Sequence, residues 1–337
     1  MDPLTHAAFS WTLSRAGCNR ISARATPVLI AAGLVADLDL FSFLGGPEAY
    51  LRWNHALTHS ILGAVLLAFV VALLFWMAGR RPGGKAIPFR QVLVLSAIGM
   101  AGHLLLDICG TDGVRLLWPF SQSFIALDLL GPIDPWILFI LLAGVALPSL
   151  FRMVGDEIGS RRKGPAPVRG AVIALVLVAA YIGVRVDFHG RAVNILVSHD
   201  YHGAVPILAG AYPTGSLPFD WRGVVSTENT MEVLDVPVGP GGDFNALLAE
   251  EQFKPGASPA LAAAQDARIT RLFLAGARFP LATMEHTDTG YTFIARDLRF
   301  EEDSRNPANV EAVVTLDFEA RVTSQTLRWT TSPLPWL

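Results

Sequence analysis

Apolar residues fall into two different rhythms along this chain. Up to about residue 186 they form continuous runs: 27–44, 59–78, 92–109, 133–150 and 168–186 are each long and apolar enough to cross a bilayer. About 20 residues are needed for a crossing, or about 17 in a thin membrane. A shorter apolar segment, 3–16, fits either a sixth crossing or an interfacial helix. It is not read as a signal peptide, because the first basic residue, Arg15, follows the apolar run rather than preceding it. After residue 187 the runs shorten and alternate. Residues 233–238, 291–300, 310–318 and 320–329 read as strands, separated by Pro, Gly, Asn and Asp clusters. Residues 245–280 are rich in Ala, Leu and Glu and read as helices. The pattern therefore predicts an α-helical integral membrane domain over 1–186, with about five to six transmembrane helices. A soluble α+β domain follows over 187–337, with a mainly antiparallel sheet packed by one or two helices.

Composition agrees with that division. Of 337 residues, 52% are hydrophobic and 16% charged, against about 25% charged in ordinary soluble domains. This excludes a disordered chain, a nucleic-acid-coating protein and a wholly soluble enzyme. The net charge of −3 conceals a split: residues 1–186 carry 15 Lys and Arg against 10 Asp and Glu, and residues 187–337 carry 11 against 19. Two cysteines, Cys18 and Cys109, make no disulfide framework.

The basic residues set an orientation. Arg15, Arg20 and Arg24 lie between the first two helices. Arg80, Arg81, Lys85 and Arg90 lie between the third and fourth, and Arg152, Arg161, Arg162, Lys163 and Arg169 between the fifth and sixth. That puts 12 of the 15 in alternate loops. These loops should be cytoplasmic by the positive-inside rule, which places the loops at 45–58 and 110–132 and the whole of 187–337 outside. With only Lys and Arg used, His6, Asp37, Asp39, His55, His59, His103 and Asp107 all fall at the outer face, with Asp2, Asp112, Asp128 and Asp134 near them.

His55-Ala-Leu-Thr-His59 and His103-Leu-Leu-Leu-Asp107 have i, i+4 spacing, which on a helix stacks both side chains on one face. Asp37-Leu-Asp39 is spaced i, i+2, so one carboxylate can ligate while the other supports it, or the helix ends there. A single His or Asp near an interface is usually structural. Four His and three Asp on one side are different, because ionisable groups in apolar segments cost about 2.5–3.5 kcal/mol each and mark function. Mixed His and Asp ligands suit Zn, Mn or Fe better than Mg or Ca. Such divalent sites commonly activate water for hydrolysis of phosphoesters or other esters. Seven candidates exceed what one tetrahedral ion needs, so one or two ions are expected. Asp37, Asp39 and Asp107 are the candidates for a general base.

The segments MDPLTH (1–6), ADLDL (36–40), HALTHS (55–60) and GHLLLDICGTDGVRLLWPF (102–120) resemble the YdjM-like family, described as inner-membrane metal-dependent hydrolases and as LexA-binding. The resemblance covers roughly residues 1–150, with four motifs in order. It implies that His6, Asp37, Asp39, His55, His59, His103 and Asp107 are the metal-site candidates. Ala36 and Ala56 stand where the family often has Pro and Arg; neither position is an expected ligand, but an arginine able to hold a phosphate is missing at 56. The His and Asp pattern is also similar to that of the helical zinc-dependent phospholipases C.

The expectation is a membrane-embedded metal-dependent hydrolase of the bacterial inner membrane, acting at the extracytoplasmic face on a lipid-linked substrate. Two alternatives remain: an ion-coupled or metal transporter, and a non-catalytic scaffold with a structural metal. No nucleic acid partner is expected, and oligomeric state is not legible. In the soluble domain, His189, His199 and His202 read as a solvated juxtamembrane loop, His286 as a loop residue, and Trp221 and Trp329 as core or turn residues.

Overall fold

A computed structural model describes residues 1–80, 87–157, 168–215, 217–300 and 310–330. Arg81, Lys85, Arg161, Arg162 and Lys163, which carry part of the charge argument, lie outside the described residues. The chain divides into two compact units. The first comprises Met1–Asp39, His55–Ser121 and Ile125–Val186; the second comprises Leu40–Asn54, Gln122–Phe124 and Asp187–Leu337.

The first unit is helical. Helix α1 (Pro3–Ala16) starts where Asp2 caps the backbone N–H of Thr5 and Pro3 occupies the first turn, a position at which the missing proline N–H costs nothing. It continues through α2 (Ala25–Leu34), α4 (Ile61–Ala78), α5 (Phe89–Ile108), α6 (Pro135–Glu157) and α7 (Val168–Val197). Among the described residues, four stretches are long and apolar enough to cross a membrane: Ala25–Trp53, Ile61–Ala78, Phe89–Ile108 and Val168–Val197. Pro135–Phe151 is a shorter apolar helix. The protein is thus an integral membrane protein, with a helix count near the expected range.

The crossing expected at 27–44 is not one regular helix. Helix α2 ends after ten residues, about 15 Å. A 3-10 stretch, Ala36–Gly45, and a short helix α3 (Gly46–Trp53) follow, and Gly46 turns the chain with φ at 85°. Helix α7, at 30 residues or about 45 Å, outruns the expected 168–186 and takes in His189, which is therefore helical rather than on a juxtamembrane loop, its ring 5.4 Å from that of Trp221.

Small residues let three helices approach closely. A Cβ at Gly33 of α2 would run into Ser10 of α1. One at Gly99 of α5 would lie 2.8 Å from the Leu29 carbonyl oxygen of α2. This is the usual way helices associate in lipid, where no hydrophobic drive separates them from their solvent. Helix α1 buries a polar face, Thr5, His6, Ser10, Thr12 and Ser14, so it is an inner helix rather than a lipid-facing one.

The second unit contains two four-stranded antiparallel sheets. One has the order β1 (Leu208–Pro213), β2 (Asp220–Ser226), β3 (Thr230–Pro237), β4 (Glu250–Phe253); the other has β5 (Pro280–Thr287), β6 (Gly290–Asp297), β7 (Val310–Leu316), β8 (Val322–Trp329). The end of α7 covers the first sheet through Ala192 and Leu196, packed on Trp221, Val225 and Val236. Helices α8 (Pro259–Asp266) and α9 (Arg268–Leu274) cover the second through Leu261, Ile269 and Phe273, packed on Phe293, Ala312 and Val314. Tyr212 and Val224 meet Phe279 and Leu281 where the sheets join.

Two readings need correction. Residues 250–253 form β4 rather than a helix, because their backbone pairs with β3 from Val233 to Thr230, and this pairing overrides the helix propensity of Ala, Leu and Glu. His286 lies on β5, opposite Tyr291 in the register, rather than on a loop.

One buried carboxylate stands out in this unit. Glu232 on β3 is fully buried. Its Oε1 accepts from the Thr230 hydroxyl at 2.7 Å, and its Oε2 has no hydrogen-bond partner. Burial pushes its pKa up. An acid whose folded pKa is raised contributes stability below its unfolded pKa and loses it as pH rises through the folded value. Charged Glu232 therefore costs stability at pH 7. Glu232→Gln is expected to raise Tm by about 2–4 °C at pH 7, with the difference shrinking at acidic pH; differential scanning fluorimetry across pH reads it.

Candidate metal centre

The centre is assembled from four pieces of chain. The first is the turn before α4. Ser60 caps α4: its Oγ accepts from Gly63 N at 3.0 Å and donates to the Leu57 carbonyl at 2.8 Å. That turn presents Thr58 and His59 from a non-helical segment. The i, i+4 helical reading of His55 and His59 is therefore corrected, since residues 54–60 are turns and bends. The two rings still meet, with centroids 4.3 Å apart, because His55 sits at φ 51°. Such a conformation is uncommon for a non-glycine residue and is held here from three sides. The His55 N–H donates to Asp39 Oδ2 at 2.9 Å, its carbonyl accepts from Arg115 N at 3.1 Å, and its Nδ1 lies 2.7 Å from the Gly113 carbonyl. Burial, then the neighbouring His59, lowers the His55 pKa.

Gly63 is obligatory in this turn, because a Cβ there would run into the Leu57 carbonyl. Gly63→Ala is expected to displace the 57–60 turn and weaken metal binding at least tenfold while the protein still inserts. Detergent-solubilised yield and metal titration read the two effects separately.

Helix α5 supplies the second piece. Here the i, i+4 spacing holds: His103 Nε2 lies 3.0 Å from Asp107 Oδ2. The His103 Nδ1 is 2.8 Å from the Gly33 carbonyl of α2, which fixes Nδ1 as the donor and leaves the Nε2 lone pair facing inward. The third piece is His6 in the first turns of α1, with Nε2 3.2 Å from Asp107 Oδ1. The Met1 ammonium lies 2.6 Å from the same oxygen.

The 3-10 stretch supplies the fourth piece, and it splits its two carboxylates. Asp37 faces the centre, with Oδ1 3.9 Å from His103 Nε2. Asp39 turns outward from it, to His59 Nδ1 at 2.9 Å, the Thr58 hydroxyl at 2.5 Å and the His55 N–H. A regular helix would also have parted an i, i+2 pair.

The donor set fits a divalent cation. His59 Nε2, His103 Nε2 and Asp107 Oδ2 lie 3.0–3.2 Å from one another. Four-coordinate zinc at about 2.0–2.1 Å places its ligands about 3.3 Å apart. His6 Nδ1 and Asp37 Oδ2 are buried without a hydrogen-bond partner, and His6 Nε2 and Asp107 Oδ2 lie within 3.2 Å of oppositely ionisable neighbours without hydrogen-bond geometry, whereas native proteins pair nearly all such atoms. Two overlapping triads could hold an ion: His6, His103 and Asp107, and Asp37, His59 and His103. His55 belongs to neither; its ring packs on His59.

The other acidic candidates have different work. Asp2 caps α1. Asp134 caps the start of α6 through the N–H groups of Trp136 and Ile137 and accepts from the Tyr181 hydroxyl at 3.0 Å. His199 Nδ1 bonds the Ile195 carbonyl, and His202 Nε2 is 3.9 Å from Glu232 Oε2. Sequence reasoning missed Thr58 and the carbonyls of Gly33 and Gly113. Thr58 was readable from its place beside His59, but the carbonyls carry no side-chain signal.

The family described as YdjM inner membrane protein matches residues 1–192. The chain belongs to the YdjM inner membrane protein family. All seven candidate residues lie inside the YdjM match, which ends within α7 and before the two sheets. The chain is also similar to a protein of Bacillus subtilis (strain 168) named "Uncharacterized protein YfhP", with 24% identity over 132 residues. That similarity covers 39% of this chain and 39% of the relative. No solved structure matches.

Proposed function

We propose that the protein is a membrane-embedded metal-dependent hydrolase whose centre lies at the extracytoplasmic face, and that residues 187–337 are extracytoplasmic by the charge rule. The observation that carries this reading is the convergence of His59 Nε2, His103 Nε2 and Asp107 Oδ2 within 3.0–3.2 Å, next to buried acceptors without partners. His6, His59, His103, Asp107 and Asp37 would hold one or two ions, zinc best by donor chemistry, with Mn or Fe as substitutes. Such an ion, when bound, supplies Lewis acidity and lowers the pKa of water.

The chain's own residues divide the remaining work. Asp39 holds His59 Nδ1 and so aims Nε2 at the centre. Asp107 touches three imidazoles and is the central ligand. Asp37 is the least engaged carboxylate and retains some exposure, 16% of its side chain. It is therefore the one placed to accept a proton from an attacking water.

Leu38, Leu57, Leu117 and Phe120 are exposed large apolar residues on the segments that carry or flank the ligands. A rim of this kind favours a substrate with an apolar tail and an ester or phosphoester at the head. The test is a panel of phospholipid and isoprenoid phosphoesters offered to zinc-loaded protein in nanodiscs. Turnover of at least one class, lost in His59→Ala/Asp107→Ala, is expected; no turnover of any member by metal-loaded protein would count against the enzyme reading.

One observation favours the second reading, a metal or ion-coupled transporter. His6, Ser10 and Ser14 stack at i, i+4 and i+8 on the buried face of α1, and Ser14 bonds Thr26 at 2.7 Å. The stripe runs about 12 Å down from the centre. Zinc uptake into proteoliposomes that is abolished by Ser10→Leu would select this reading.

A further inference from the structure

Asp39 and His55 are not adjacent in sequence, yet the His55 N–H donates to Asp39 Oδ2 at 2.9 Å. The 15 residues between them, 40–54, leave the metal centre at Asp39 and return to it at His55. They belong not to the helical unit but to the unit that contains the two sheets. Their contacts there are specific. Glu48 of α3 takes a two-pronged bond from Arg268 of α9, at 2.6 and 3.1 Å. Tyr50 is buried and meets Trp329 of β8 edge-on, with centroids 5.2 Å apart. Leu51 packs against the apolar core of α8, α9 and the second sheet.

We propose that residues 40–54 are an arm through which the C-terminal region positions the metal centre, with Arg268 and Trp329 as positioning residues. The proposal rests on the metal-site reading. Both ends of the arm are site segments: Asp37 and Asp39 immediately before it, and His55, Thr58 and His59 immediately after it. Asp39 is the clasp at the base, since one carboxylate oxygen holds the His55 N–H, the Thr58 hydroxyl and His59 Nδ1. A free 15-residue loop would leave the separation of those ends to chain entropy. Docking its tip on a folded core restricts the ends to one arrangement, and restricted ligands bind a cation more tightly than mobile ones. Anything that shifts the C-terminal unit then shifts metal affinity, and metal binding reciprocally orders the arm.

The experiment uses the full chain in nanodiscs, with zinc affinity measured by chelator competition and hydrogen exchange followed over residues 36–60. Arg268→Ala is on the surface and is expected to fold; Trp329→Ala removes more. Zinc affinity should weaken by about threefold for Arg268→Ala and about tenfold for Trp329→Ala, with faster exchange across 36–60 even without zinc. The charge swap Glu48→Arg/Arg268→Glu should restore both readouts, which a merely destabilised protein would not do. Arg191→Ala, which breaks the exposed pair with Asp187, is the control and should change neither. Unchanged affinity and unchanged exchange in Arg268→Ala and Trp329→Ala would overturn the arm while leaving the metal site intact. Wild-type protein that binds no zinc, with exchange still altered by the variants, would overturn the metal reading and retain the docking.

Discussion

Asp107→Asn is expected to remove bound metal from the purified protein and, with it, any esterase or transport activity. Asp107 is buried and stands within 3.2 Å of His6, His59 and His103, so it is the one carboxylate shared by every imidazole that faces the centre. Asparagine keeps the shape and removes the charge. Breaking a buried charge pair costs about 3–5 kcal/mol, which corresponds to a loss in affinity of roughly 10²- to 4 × 10³-fold. The three imidazoles would remain, so residual weak binding at high zinc is part of the expectation. Chelator competition on detergent-purified protein measures the loss, and circular dichroism checks that the helices are retained. An affinity within threefold of wild type would remove Asp107 from the site.

Asp39→Asn separates a ligand from an orienting group. Asp39 spends its carboxylate on His59 Nδ1, the Thr58 hydroxyl and the His55 N–H. Partners of this kind, which hold a ligating imidazole by its other nitrogen, cost about 10–100-fold in metal affinity when lost. The expected result is weaker binding with unchanged stoichiometry once zinc is saturating. A lost equivalent of metal at saturation would instead make Asp39 a direct ligand. Because the ligands must shed protons to bind, affinity in both wild type and variant should fall as pH drops below the histidine range.

The helical membrane unit was legible because bilayer thickness imposes long apolar runs, and the candidate residues were legible because charge is costly there. The i, i+4 logic worked for His103 and Asp107, which share the continuous helix α5. It failed for His55 and His59, which come together through a left-handed His55 and the cap at Ser60. Nothing in the spacing distinguishes those two cases. The break at Leu34 and the departure of 40–54 were hidden for a different reason. Phe41, Phe43 and Leu44 are as apolar as any lipid-facing residues, so composition gives no sign that the regular helix ends at Leu34 or that 40–54 group with the second unit. In the second unit, β7 alternates (Val310, Ala312, Val314 and Leu316 on one face), but β1 (LAGAYP) and β4 (EEQF) are short and weakly patterned. Their strand state comes from pairing with β2 and β3.

Every role proposed above depends on a divalent ion held between α1, α5 and the turn before α4. Elemental analysis of the protein purified in mild detergent without added metal or chelator tests it most directly. One or two equivalents of zinc, manganese or iron per chain are expected, falling to background in His59→Ala/Asp107→Ala. Wild-type protein with no metal above background, which also takes up none on titration, would contradict it.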